Sequence, residues 1–281
     1  MGDALGAALE WLSPEQIAAR YGGPLRDMVA SSVWERGEWT DDTSMMLALG
    51  ESLAERGDWD EDDVVARYAI WARSGPKDIG GTVSHALRRA GTAELARASA
   101  AEFHELSGGK SAGNGSLMRT APIAIRFRDS SKDIERVSRA DSVLTHHDPL
   151  AGDACAFFNL TLAALIRGKK LPKKATTEAG RVALAAREAS PQELLDDVQR
   201  RVGFVLTALR VAYACGLGCD GFEEAVVTAA NMGGDADTNA AVTGALAGAR
   251  FGAEAIPERW LEPLRQRERV GGLATRLLRR V

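Results

Sequence analysis

The sequence predicts an all-α fold, and three observations carry that prediction. Apolar residues recur at spacings of three and four, sustained period-two alternation is nearly absent, and serines followed three residues later by Gln or Glu mark helix starts. With 281 residues, 45% hydrophobic and 26% charged, such helices can bury a sizeable core. No linker composition divides the chain and no repeat of 20–50 residues appears, so residues 1–281 are expected to form a single multi-helix domain.

Taken in order, Ser13-Pro14 with Gln16 has the spacing of a capping box and begins the first clear helix. Met45, Leu49 and Leu53 form one apolar stripe, and Val64, Tyr68 and Trp71 or Ala72 form the next. Ser99 with Glu102, and Ser190-Pro191 with Glu193, mark further starts. Helices also fit about 78–90, 131–145, 149–167, 192–214, 221–232 and 236–251. Runs 154–166 and 236–252 are rich in Ala and small apolar residues, which suits helices packed closely on most sides. The stretch RGKKLPKKATTEAG, residues 167–180, reads as a solvated loop.

Thirty-five basic against thirty-nine acidic residues leave a net charge of −4, too balanced to point to nucleic acid or an anionic membrane as a bulk electrostatic partner. Any phosphate binding must therefore be local. Cys155, Cys215 and Cys219 are too few and too unevenly placed for a disulfide framework or a zinc pattern, and fit a reducing compartment. Asp3 and Glu10 stand where a secretory signal needs basic and then unbroken apolar residues, and no stretch approaches the roughly 18 apolar residues of a membrane span. A cytoplasmic, monomeric protein is expected.

The stretch WTDDTSMML places Asp41 and Asp42 between Thr40 and Thr43 where an apolar helical pattern begins. Helix capping accounts for one such cluster, since Asp and Thr accept bonds from first-turn amides. A second cluster in NMGGDADTNAAVTGALAG, with Asp235, Asp237 and Thr238 ahead of another helix, changes the reading. Brought together, the two would put four carboxylates in one pocket, where repulsion forces protonation unless cations hold the charge. An all-oxygen set without His or Cys favours magnesium or manganese.

Neither cluster has EF-hand spacing. Thr238 directly follows Asp237 behind a glycine pair, unlike the aspartate-phosphatase pattern, and Met45 stands where an isoprenoid-synthase D-D-x-x-D needs an acid. Between the clusters, Gly113-Asn114-Gly115-Ser116 offers backbone amides to a phosphate ahead of a helix start, while His104 occupies the place of the first P-loop glycine and rules that motif out. His146 and His147 fall at a helix boundary, where they either cap or stack on a ligand; His85 and His104 show no partner pattern.

The set GDALGAALE, WTDDTSM, PKDIGGTV, GNGSLMRTAPIA, LTHHD and NMGGDADTNAAVTGALAGARFG resembles the ADP-ribosylglycohydrolase family, with the motifs in family order over residues 2 to 252. The resemblance implies an all-α fold with a dinuclear cleft holding two Mg2+ or Mn2+, and hydrolysis of the bond between ADP-ribose C1″ and an acceptor. It implies Thr40, Asp41, Asp42, Asp235, Asp237 and Thr238 as metal ligands. Glu10 matches an acid near the reacting ribose, and Asp78 one beside the departing acceptor. Ser111, Gly113, Asn114 and Gly115 would face the diphosphate, and His146 would lie near the adenosine.

On that reading, Glu10 or Asp42 is the partner of the attacking water, and nearby carboxylates stabilise the oxocarbenium-like ribose. The partners implied are ADP-ribose and ADP-ribosylated proteins or small molecules. The rival readings are a non-catalytic ADP-ribose or nucleotide module with a structural metal pair, and a phosphohydrolase that would release AMP. Arginine, serine, an acetyl ester, a nucleic-acid base and a small guanidine all fit as the acceptor.

Overall fold

The computed structural model describes residues 1–279. Among them no β-strand occurs, and the α-helices are α1 (Gly2–Gly6), α2 (Pro14–Tyr21), α3 (Asp41–Arg56), α4 (Glu61–Arg73), α5 (Gly81–Leu87), α6 (Ala93–Leu106), α7 (Ala121–Arg126), α8 (Ser131–Val143), α9 (Pro149–Ile166), α10 (Glu178–Ala186), α11 (Pro191–Arg200), α12 (Val205–Gly218), α13 (Phe222–Asn231), α14 (Ala236–Phe251), α15 (Glu258–Leu261) and α16 (Arg267–Leu278). The chain divides into two compact units. The first joins Met1–Asp42 to Lys173–Arg267, and the second joins Thr43–Pro172 to the chain from Glu268 onward.

In the first unit, α1, α12 and α13 pack on α14, around a core that includes Leu5, Leu9, Ile17, Phe222, Val226 and Trp260. Two glycines set how closely α1 approaches. A Cβ at Gly2 would sit 1.9 Å from the Ala240 carbonyl oxygen, and one at Gly6 would sit 2.4 Å from that of Ala236. Any side chain there would lift α1 off the first turns of α14.

In the second unit, α8 lies along α9, α7 packs on α9, and α5 on α6. The stripe of Met45, Leu49 and Leu53 is buried as its spacing predicts, as are Val64 and Tyr68, while Trp71 and Ala72 are half-buried. Asn159 on α9 donates to the hydroxyls of Thr120 (2.7 Å) and Ser138 (2.9 Å), tying α9 to the start of α7 and to α8.

Helix signals held where the cap chemistry is reciprocal. Gln16 N–H donates to Ser13 Oγ at 3.3 Å, and Ser13 N–H to Gln16 Oε1 at 2.7 Å; Ser190 N–H likewise donates to Glu193 at 3.0 Å. Ser99 is not a start: it lies inside α6, whose cap is Thr92, accepting from Leu95 N–H. The expected helix over 192–214 is two helices, because the chain turns at Gly203 with φ +77°. The glycine loop leads into turns stitched to the Asn114 carbonyl rather than straight into a helix; α7 begins only at Ala121. By length and composition α9 is long and apolar enough to cross a membrane, contrary to the sequence expectation, and 61% of it is buried within the protein.

Candidate active site

The first unit assembles the two acidic clusters at helix starts. The close approach of α1 to α14 brings Asp3 and Glu10 to the DADT turn. Gly233 and Gly234, both at positive φ, let that turn dock on the segment after Glu10: Gly234 N–H donates to the Leu12 carbonyl at 2.9 Å, and Trp11 N–H to the Gly234 carbonyl at 2.7 Å. A Cβ at Gly233 would lie 2.0 Å from the Leu12 carbonyl oxygen. The glycine pair therefore serves contact as well as conformation.

Asp42 is the centre of the cluster. Its Oδ2 accepts from Thr238 Oγ1 at 3.1 Å and Thr40 Oγ1 at 3.4 Å, while the Thr40 hydroxyl also accepts from Asp42 N–H at 3.4 Å. Thr40 N–H donates to Asp3 Oδ1 at 2.9 Å, and Thr238 N–H to Asp237 Oδ1 at 2.8 Å. Asp3, Thr40, Asp41, Asp42, Asp237 and Thr238 are all buried, and Glu10 and Asp235 are partly exposed. Carboxylate oxygens of Glu10 and Asp237 lie within 4.8 Å of each other.

Burial pushes the Asp42 carboxyl well above the usual range, and Asp3, Asp41 and Asp235 push it further against the Thr238 bond. Asp237 is raised in the same way, by burial and then by Asp42, Asp235, Glu10 and Asp3. The charged groups acting on both are carboxylates. Asp42 Oδ1 is buried without a hydrogen-bond partner. An orphaned carboxylate oxygen inside an all-oxygen, like-charged set suits a hard divalent cation, which would supply the missing partner and the opposing charge.

Capping explains only part of this arrangement. The Thr40 hydroxyl does accept a first-turn amide of α3, but Asp235 occupies the N-cap of α14 with no side-chain cap bond. Asp3 is the residue that sequence reading missed as a site member. Its signal is an acid flanked by helix-contact glycines, seven residues before Glu10.

In the second unit, Asp78 lies half-buried in the α4–α5 loop, and Asn114, Gly115 and Ser111 are buried in the segment before α7, with Gly113 half-buried. The Ser111 hydroxyl is 2.6 Å from His104 Nδ1, a partner that no sequence pattern predicts, and the His104 ring lies tilted against that of the exposed His147 with centroids 5.3 Å apart. His146 is buried, with its ring against Gly115, where a Cβ would lie 3.0 Å from Cε1 and 3.2 Å from Nε2. Sequence reading also missed Arg119 and Asp141, a fully buried ion pair at 3.0 Å.

With this geometry in view, the ADP-ribosylglycohydrolase family model matches residues 1–281. The chain belongs to the ADP-ribosylglycohydrolase family. Similar relatives include the ADP-ribosyl-[dinitrogen reductase] glycohydrolase of Rhodospirillum rubrum, 33% identical over 94% of this chain and 86% of that one. The ADP-ribosylarginine hydrolase Tri1 of Serratia proteamaculans is 33% identical over 99% of this chain and 76% of its own. A solved structure titled ADP-ribosylglycohydrolase-related protein complex superposes with a TM-score of 0.74 at 32% identity, covering 99% of this chain and 93% of that one. This ADP-ribosylglycohydrolase is therefore an all-α hydrolase of ADP-ribose glycosidic bonds.

Proposed function

We propose that this hydrolase depends on divalent cations, two Mg2+ or Mn2+, and removes ADP-ribose from an arginine-type acceptor. The observation that carries the metal reading is the partnerless Asp42 Oδ1 within a set of buried acids. Thr40, Asp41, Asp42, Asp235, Asp237 and Thr238 are the residues that would hold the ions. Bound there, the cations supply charge neutralisation, a template for ribose hydroxyls and a more acidic water. The name of one relative, an ADP-ribosylarginine hydrolase, favours arginine among the acceptors that fit, and that of another, which names dinitrogen reductase, favours a protein as its carrier.

The chain's own part is positioning and proton transfer. Glu10, partly exposed beside Asp237, accepts a proton from water, with Asp42 as the alternative base. The water oxygen bonds to C1″ as the C1″–N bond breaks, the bonding electrons leave on the guanidine nitrogen, and that nitrogen takes up the proton that the base removed from water. Surrounding carboxylates stabilise the oxocarbenium-like ribose. Asp78 is assigned to the departing acceptor, Ser111, Gly113, Asn114 and Gly115 to the diphosphate, and His146 to the nucleotide.

The test is incubation of ADP-ribosyl-arginine with the purified chain in Mg2+, Mn2+ or EDTA, with free ADP-ribose and AMP quantified separately. ADP-ribose should appear only with cation, and Glu10→Gln should lower kcat about 10²–10⁴-fold while keeping cation-induced thermal stabilisation. Release of AMP, or tight binding of ADP-ribose with no turnover under any cation, would replace this reading with one of its rivals.

A further inference from the structure

Arg119 is fully buried with Asp141 in the second unit and belongs to none of the assigned roles. Its Nε donates to Asp141 Oδ2 at 3.0 Å and Nη2 to the Asp141 carbonyl at 2.8 Å; Tyr68 OH donates to Asp141 Oδ1 at 2.8 Å, and the guanidinium lies 4.6 Å from the Tyr68 ring centre. Those contacts satisfy the charge. Two others go beyond it: Nη1 donates to Thr145 Oγ1 at 2.8 Å and, at 3.5 Å, to the Gly115 carbonyl. Thr145 Oγ1 is in turn 2.8 Å from His146 Nδ1.

The direction of this chain of bonds is set by chemistry. A guanidinium has donors and no acceptor, so the Thr145 oxygen receives a hydrogen from Arg119. The hydroxyl's own hydrogen then needs an acceptor, and Nδ1 of a neutral imidazole is one. The reverse arrangement, with Nδ1–H donating to Thr145, would put two donors on one hydroxyl and bury its hydrogen with nothing to accept it. We propose that Arg119, acting through Thr145, is a positioning residue that holds His146 in the tautomer with its hydrogen on Nε2, beside the Gly113–Ser116 loop.

Burial and the Arg119 charge also press the His146 pKa down to about 3, so the ring is neutral at physiological pH. Gly115 lets the Nε2 edge lie this close to the loop backbone, since any Cβ there would crowd it. The site then offers a neutral N–H donor alongside backbone amides, which matches an acceptor oxygen such as one of a diphosphate. That ligand assignment rests on the proposed function; the tautomer does not.

The test uses the intact protein with 15N-labelled histidine. Of the four histidines, the His146 signals are assigned from their loss in His146→Gln. Between pH 5.5 and 8 the wild type should show a neutral ring with protonated Nε2 and a hydrogen-bonded, unprotonated Nδ1. Thr145→Val should lose the Nδ1 hydrogen-bond shift and bind ADP-ribose, measured calorimetrically with Mg2+, about tenfold more weakly; Thr145→Ser should restore both. A ring protonated on Nδ1, or a Thr145→Val protein with the wild-type Nδ1 signal and affinity, overturns the proposal. If the wild type shows the Nε2–H ring yet binds no ADP-ribose, the positioning role stands and the ligand assignment fails.

Discussion

Each unit buries a set of charges, and the two sets are built on opposite principles. Around Arg119 the second unit pairs its charges internally: Asp141 takes the guanidinium and the Tyr68 hydroxyl, and the remaining donors reach Thr145 and the Gly115 carbonyl. Around Asp42 the first unit gathers acids, softens them with two threonine hydroxyls, and leaves one carboxylate oxygen with no partner. A satisfied buried network rigidifies whatever it touches, whereas a buried like-charged set needs protons or a cation to relieve it. The contrast marks the acids of the first unit, and not the Arg119 network, as the set that calls for an ion from outside the chain.

The largest effect should come from breaking each set at its carboxylate, because the signs ought to differ. Asp141→Asn strands a buried guanidinium and should cost about 3–5 kcal/mol. Asp42→Asn removes a carboxyl that burial and three other acids hold above its ordinary pKa. Such a group costs stability once pH rises past the ordinary carboxylate range, so in chelator the variant should gain stability. With cation at a hundred times its Kd the wild type should gain about 2.7 kcal/mol, a gain Asp42→Asn should lose. Urea denaturation of both variants with and without Mg2+ decides the matter; losses of equal sign in chelator would mean that Asp42 is an ordinary structural acid.

A middle-sized effect tests whether burial, with the Arg119 charge behind it, holds His146 neutral. His146 is held to a pKa of about 3 in the fold, against an ordinary value near 6.5. The unfolded chain therefore takes up the proton first. The stability contributed by the neutral ring is complete above about pH 6.5 and is lost at about 1.4 kcal/mol per pH unit down to about pH 3. Between pH 7 and 5 the loss should be about 2 kcal/mol, and His146→Gln should remove most of it in matched denaturation curves. An unchanged pH dependence in that variant would show that the fold does not hold the His146 ring neutral.

The two sets also differ in how far the sequence disclosed them. The acidic centre was legible because Asp41–Asp42 and Asp235–Asp237 are local pairs, each beside a threonine at a helix start, and their chemistry makes sense only if they meet. Asp3 escaped, since a lone acid in a five-residue helix resembles a surface residue until the glycines beside it prove to be contact points. Arg119 and Asp141 escaped for another reason: twenty-two residues separate them, and no periodicity links a turn before α7 to the buried face of α8. Of the helices, α3 and α4 were readable from their stripes, whereas the break between α11 and α12 depended on one glycine at positive φ. Local pattern reports amphipathic faces; it does not report which polar residues a fold will bury together.

The smallest effect is the sharpest test of whether the acids of the first unit are caps. Thr177 and Asp235 stand at equivalent places in that unit, the N-caps of α10 and α14. Thr177 Oγ1 accepts from Gly180 N–H at 3.2 Å, while Asp235 makes no side-chain cap bond. Thr177→Ala should therefore cost about 0.5–2 kcal/mol, the ordinary value of a lost cap. Asp235→Ala should cost less than that in chelator, because it removes one of the acids that act on Asp42 and Asp237 and forfeits no cap bond. It should, however, abolish the stabilisation by Mg2+ that Thr177→Ala keeps. Thermal melts of the two proteins, with EDTA and with Mg2+, give four numbers. If Asp235→Ala fell as far as Thr177→Ala in EDTA and still responded to Mg2+, Asp235 would be a helix cap, and the unpaired charge of the first unit would have lost one of its members.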